Sequence, residues 1–296
     1  MPQAPFVLCA PAFAGCRKLH LLPMSLLFVL KNNPMNPYLL TYANLNRHSA
    51  EIRHFSSTRK DGVSTGEFAT FNLGNYTDDL RDNIETNRQA LCAELQIGRD
   101  NLITVHQTHS ASVKIIDEAV LSLPPSQRTE ALYSHDAMIC RIPGICIAVN
   151  TADCVPVLLF DPETKTVAAI HSGWKSTVQN ITQATIGILT KQFGSNPAGL
   201  VAAIGPCIGG KVYEVGTDLY ERFETEGFDM PALFAPKANG KYLFDIRKAV
   251  AGQLRSAGVS DIEVSSHCTY SEPELFFSAR RQSIHSGRML SGIMII

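Results

Sequence analysis

Asn150 to Lys175 reads NTADCVPVLLFDPETKTVAAIHSGWK. Two apolar runs, Val155–Phe160 and Val167–Ile170, flank Asp161-Pro162-Glu163-Thr164. Short apolar runs bounded by turn residues read as buried strands, and the central tetrapeptide is turn chemistry. The stretch is therefore expected to be a hairpin. Cys154 stands before its first strand and His171 just after its second. Antiparallel pairing across a short loop sets those two positions side by side at one end. A thiol and an imidazole thus meet at a sheet edge, next to Ser172-Gly173-Trp174, where a helix is expected to begin.

Outward from the hairpin, Ile145–Val149 reads as a strand feeding it. Residues Trp174–Phe193 place Val178, Ile181, Ile188 and Leu189 at helical spacing, with Gly194 as the stop. Leu200–Ile204 is a strand ended by Gly205-Pro206. Val215–Phe228 reads as a helix, and Asp245 caps another that runs to Ala257 before Gly258. Ile262–Ser265 and Met289–Ile295 read as strands. Upstream, Tyr38–Phe55 reads as strand, polar turn and strand, and residues 56–66 as a hydroxyl- and glycine-rich loop. Asp79–Leu95 is a helix by its period. Leu102–Ile116 holds two strand-like runs around Gln107-Thr108-His109-Ser110. No repeat and no low-complexity linker divides residues 37–296, which read as one α+β domain.

A chain of 296 residues can bury a full core. Its formal net charge of -1 gives no basic footprint for nucleic acid. Eight cysteines without a CxxC pair argue against a disulfide scaffold or zinc ribbon and fit a reducing, cytoplasmic compartment. Residues 1–36 carry two apolar runs, Phe6–Ala14 and Leu19–Leu30. Pro23 interrupts the second, and neither run is expected to span a membrane or to serve as a secretion signal. The segment is expected to be a loose extension outside the fold, with Met24 or Met35 as the working initiator.

Three motifs bear on chemistry. Gly205 to Lys211 matches the GxxxxGK spacing of a phosphate-binding loop. Val212 lacks the hydroxyl that would hold magnesium, and Pro206 removes a backbone donor, so a structural turn is expected. His106 and His109 would point to opposite faces of a strand, so one of them is expected to reach the site. His109, Cys154 and His171 would suit a catalytic zinc with an open fourth position. The same Cys154 and His171 also suit a cysteine hydrolase, with Asp153 or Asn150 as orienter. A blue-copper centre would need a weak axial ligand such as Met138. Trp174 is read as core or as a pocket wall beside His171.

Several motifs in one order resemble the YfiH-type proteins, also called the laccase-domain or polyphenol-oxidase family. They are Thr58-Arg59, Asn72-Leu73-Gly74, Asn87-Arg88, Gln107-Thr108-His109, Asp153-Cys154-Val155-Pro156 and His171-Ser172-Gly173-Trp174. Gly205-Pro206-Cys207-Ile208-Gly209, Tyr213-Glu214-Val215, Cys268-Thr269, Phe276-Phe277-Ser278 and Gly287-Arg288 follow. Ser110, Ser172, Lys175-Ser176 and Ala279 depart from the family pattern. The resemblance implies a layered α+β fold of mixed sheets flanked by helices, related to cysteine-hydrolase-like toxin domains. It implies that His109, Cys154 and His171 bind zinc, with copper as the alternative. It implies phosphorolysis of adenosine, inosine or guanosine, with methylthioadenosine a further candidate, and deamination of adenosine. Arg59 is expected to bind phosphate through its guanidinium fork. Asp153 is expected to orient a ligand or move a proton, and Gln107, Asn150 and Ser172 to contact substrate or phosphate. The partners are then purine nucleosides and phosphate, not nucleic acid or membrane, with the chain a monomer. A copper oxidoreductase of phenols and a non-enzymatic binding protein with structural zinc remain the competing classes.

Overall fold

In the computed structural model, which describes residues 38–296, the two apolar runs pair as an antiparallel hairpin from Val155↔Ser172 to Asp161↔Thr166. The apolar segment of residues 1–36 lies outside the described residues. In chain order the strands are β1 (Leu39–Leu40), β2 (Ile52–Ser57), β3 (Leu102–Ile103), β4 (Val113–Ile116), β5 (Ala137–Cys140), β6 (Cys146–Thr151), β7 (Val155–Asp161) and β8 (Thr166–Ser172). They continue with β9 (Val201–Ile204), β10 (Glu214–Val215), β11 (Phe234–Pro236), β12 (Tyr242–Phe244), β13 (Asp261–Val264) and β14 (Met289–Ile295).

The hairpin lies at the centre of a mixed six-stranded sheet in the order β13-β9-β7-β8-β5-β4. Its two faces meet different layers. Val155, Val157, Leu159, Ala168 and Ile170 face a core shared with the helices Ile181–Phe193 and Ile246–Ser256. Leu158, Phe160, Val167 and Ala169 face a second core. That core is closed by a five-stranded sheet, β1-β2-β14-β6-β3, stacked on the hairpin. Burial on both faces is why the runs are continuous rather than alternating. A small sheet, β10-β12-β11, shares no strand with either and packs Val215, Phe234 and Phe244 into the first core. The architecture is the expected layered α+β arrangement of mixed sheets and flanking helices.

Three local expectations change. β6 does not extend the hairpin. It pairs with β14 and β3 in the five-stranded sheet, so the chain changes sheets between Thr151 and Val155. The expected long helix after His171 is two, Trp174–Val178 and Ile181–Phe193, broken where Asn180 turns left-handed at φ 61°. Asparagine tolerates that conformation, and Gln253 donates to Thr177 O at 2.6 Å and Asn180 Oδ1 at 2.8 Å across the break. The polar turn after Tyr38 is a helical turn, Ala43–Asn46.

Candidate metal centre and its cleft

The site lies where the chain crosses from the five-stranded to the six-stranded sheet. One crossing joins β3 to β4 and carries His106, Gln107 and His109; the other joins β6 to β7 and carries Asp153 and Cys154. Gln107 locks them together. It accepts the Asn150 N–H at 2.7 Å through Oε1 and donates from Nε2 to the Asn150 carbonyl at 2.8 Å. His171 arrives from β8.

The ligand atoms of His109, Cys154 and His171 lie within 4.8 Å of one another, the one such group of three among the described residues. Cys154 Sγ is 3.7 Å from His109 Nε2. His109 stands in a left-handed turn at φ 61°, with its ring edge-on to His171 at 4.9 Å between centroids. Gly173 makes this approach possible. A Cβ there would lie 2.6 Å from His109 Cδ2 and 3.0 Å from Cys154 Sγ.

Asp136, fully buried at the head of β5, organises the centre. Its carboxylate accepts from the backbone N–H groups of Thr108, His109 and Ser110 at 3.2, 3.0 and 2.7 Å, and from the Ser110 hydroxyl at 2.9 Å. It also takes His171 Nδ1 at 2.8 Å, leaving His171 Nε2 to face the other donors. Burial alone would raise this carboxyl; the His171 and Ser110 contacts outweigh it and bring it down to about 2. Burial likewise opposes charge on Cys154 and His171. Each other's charge prevails, pulling the thiol down and the imidazole up. Two imidazoles, one thiol biased toward thiolate and a carboxylate behind one imidazole fit a zinc-type ion, since metal-bound histidines commonly carry such a partner.

The three ligands open on a cavity of about 340 Å³ lined also by Gly74, Tyr76, His106, Gln107, Asn150, Ile284 and Arg288. Cys154, Ala152, Ala279 and Ile284 are shared with an adjoining hollow of about 320 Å³ that includes Trp174, Tyr213 and Arg280. Trp174 is thus a wall of that hollow. Tyr76 and Ile284, 60% and 73% exposed, form the rim. His106 stacks on Tyr133 at 4.5 Å between centroids. It is not in a strand but in an isolated bridge to Tyr133; it lies outside the group of three and still lines their cavity. Its Nδ1 and Asn150 Oδ1 are buried without a hydrogen-bond partner.

The other expected site residues divide. Gln107 and Asn150 line the cavity. Asp153 lines the adjoining hollow, but its carboxylate is taken by Thr269 Oγ1 at 2.6 Å, Ser278 Oγ at 3.0 Å and Arg280 N at 2.7 Å. That role holds the turn before Cys154 and leaves little capacity for proton transfer. Ser172 is buried and bonded to Thr177 Oγ1 at 2.8 Å, at the head of a helix of one and a half turns, and does not line the cavity. Arg59 is not brought to the ligands either. Its guanidinium donates to Ala69 O at 2.6 Å and Pro273 O at 3.1 Å, lies over Phe277, and lines a separate hollow with Lys60, Asp61 and Glu274. The Gly205–Lys211 turn buttresses the site: Gly205 N donates to Pro156 O and Ile208 N to Asp153 O, each at 2.9 Å. Reading the sequence missed Asp136, Tyr76 and Ile284, and named Arg288 only within the Gly287-Arg288 motif, without a role. The available signal for Asp136 was a carboxylate opening a wholly apolar strand.

Residues 53–296 match the family model described as multi-copper polyphenol oxidoreductase laccase. The chain belongs to this family. Among relatives of this chain is a purine nucleoside phosphorylase of Bacteroides thetaiotaomicron, 40% identical over 260 residues, covering 87% of this chain and 96% of that protein. Adenosine deaminase RL5, from an unknown prokaryotic organism, is 36% identical over 82% of this chain and 93% of its own. Among solved structures, the hypothetical protein YfiH of Bacillus licheniformis superposes with a TM-score of 0.82 at 28% identity, covering 88% of this chain and 97% of that one. YlmD of Geobacillus stearothermophilus does so at 0.75 and 27%, covering 82% and 92%. Among the described residues no helix is long and apolar enough to cross a membrane.

Proposed function

We propose that this chain is a zinc-dependent purine nucleoside phosphorylase that also deaminates adenosine. The observation that carries the reading is the convergence of His109, Cys154 and His171 on a cavity whose wall holds unpaired polar atoms of Asn150 and His106. Relatives bearing both activity names support it. A zinc ion held by His109, Cys154 and His171 would supply Lewis acidity to the cavity.

The chain's own residues do the rest. Asp136 holds His171 in the tautomer whose Nε2 is free, and fixes the His109 turn through backbone bonds. Gln107 fixes the edge of β6, and Asn150 Oδ1 offers an acceptor to a donor on the nucleoside. Tyr76 and Ile284 at the rim give a flat base apolar surface to cover. The monomeric state and cytoplasmic location are part of the same reading.

Incubation of the purified protein with adenosine, inosine and guanosine, each with and without phosphate, tests this by chromatography of bases and sugars. Phosphate-dependent release of free base, with inosine formed from adenosine, is expected. Absence of both products overturns the reading. Elemental analysis after purification without added metal separates zinc from copper; one copper equivalent and phenol oxidation would favour the oxidoreductase. A second reading rests on the grouping of Cys154 with His171 and of His171 with Asp136, the order of groups that a cysteine hydrolase would use. Activity that survives chelation and is lost on thiol alkylation would favour that one.

A further inference from the structure

Arg288 is a largely buried cation beside the metal ligands, and the charged groups that act on it are Cys154 and Asp153. Neither neutralises it. Asp153 spends its carboxylate on Thr269, Ser278 and the Arg280 backbone, and Cys154 belongs to the ligand group. The guanidinium itself donates to neutral oxygens: the Ser286 carbonyl, Ser286 Oγ at 3.2 Å, Gly287 O at 3.0 Å and Ile284 O at 2.7 Å. Those bonds hold its fork in place, and its Nε donates to no other described residue. Burying a charge without a counter-charge is costly, and a fixed guanidinium lining a cavity is the group best matched to a tetrahedral oxyanion.

Gly74 bears on the same point. A Cβ there would lie 2.8 Å from Arg288 Cγ and 2.9 Å from Arg288 Cβ, so the arginine stem runs along the cavity wall where a side chain would stand. Arg280, the cation of the adjoining hollow, lies over Tyr213 with its Nη1 on Glu214 O. Arg59 lines a different hollow.

We propose that Arg288 is the phosphate-binding residue of the cleft, which rests on the phosphorylase reading above. It holds the oxyanion on the metal side of the cavity, so that a phosphate oxygen meets C1′ of the nucleoside. The new bond is phosphate oxygen to C1′ and the broken bond is C1′ to the base nitrogen. The base leaves with the electron pair and ends with the proton that hydrogen phosphate gives up.

The experiment compares wild type, Arg288→Lys and Gly74→Ala as purified metal-loaded proteins. It reads KM for inorganic phosphate and the ratio of adenine to inosine formed from adenosine. Both variants should raise the phosphate KM at least about tenfold and lower the ratio, the scale of one charge-assisted contact. Gly74→Ala presses on the stem while leaving the Arg288 guanidinium in the chain, so it keeps the test decisive if Arg288→Lys folds poorly. Ethylguanidinium added to Arg288→Ala should restore part of the lost phosphorolysis. Wild-type phosphate KM in both Arg288→Lys and Gly74→Ala overturns this inference alone. Wild-type protein that releases no adenine at any phosphate concentration overturns the phosphorylase reading together with it.

Discussion

At the scale of single residues, one carboxylate sets the geometry of the centre. Asp136 binds three consecutive backbone N–H groups around His109 and the Nδ1 of His171, so it couples two ligands that lie 62 residues apart in sequence. An amide at this position keeps one acceptor and loses the charge. Asp136→Asn should therefore weaken zinc binding by about 10–100-fold while the β5 core, Ala137 to Cys140, stays buried. Competition with a chromophoric chelator measures this, and wild-type affinity in the variant would show that the loop is held by other contacts. His54 gives a second residue-scale outcome, remote from the metal. It is buried, accepts the Tyr42 N–H at 2.9 Å, and burial lowers it from 6.5 to about 4. A depressed histidine contributes stability that is whole above its unfolded value and is lost as pH falls toward the folded one. Between pH 6.5 and 4 that amounts to about 3 kcal/mol at most, with about 2 kcal/mol gone by pH 5. Urea midpoints at pH 7 and 5 should differ less in His54→Gln than in wild type; equal differences would assign the acid sensitivity elsewhere.

At the scale of elements, the site depends on two chain crossings and one glycine. The hairpin was legible because its apolar runs and turn are local signals. The position of Cys154 and His171 at one end followed from antiparallel pairing alone. β6 was legible as a strand but not as a member of the other sheet. Val149 and Ile147 are buried whichever sheet they join, and hydrophobicity does not name a partner. Arg59 drew the phosphate reading for a related reason. A hydroxyl-rich loop with an arginine has anion-binding composition, but composition does not say which hollow the guanidinium lines, and Arg59 lines one apart from His109, Cys154 and His171. Gly173 joins β8 to the short helix Trp174–Val178, and its missing side chain is the space that the His109 ring and the Cys154 thiol use. Gly173 has an extended backbone, φ −75° and ψ 170°, which alanine adopts freely. Gly173→Ala should thus leave secondary structure intact and displace the ligands. Loss of the metal equivalent with unchanged circular dichroism is the expected result. A full equivalent would mean that His109 can swing clear.

At the scale of the molecule, two β layers are held mainly by apolar packing between the hairpin and the five-stranded sheet. The layering was implied by family resemblance rather than by any local pattern, because sheet stacking is a long-range property. His109 and Cys154 lie on the two segments that pass between the sheets, and His171 lies on the central hairpin. A metal bound by all three therefore ties both crossings to the core. The apo protein should nevertheless stay folded, since Leu158, Phe160, Ile147 and Ile293 are fully or nearly fully buried without help from the ion. Zinc should add stability by mass action, about 2.7 kcal/mol when the free ion is at a hundredfold its dissociation constant. For a chain of this size that is a rise in Tm of roughly 4–5 °C. Cys154→Ala removes one of three ligands and should abolish most of the rise, whereas His106→Ala, which is not in the group of three, should keep it. The measurement is thermal unfolding of all three proteins after chelator treatment, with and without added zinc. An equal rise in wild type and Cys154→Ala would place the stabilising ion somewhere other than this centre.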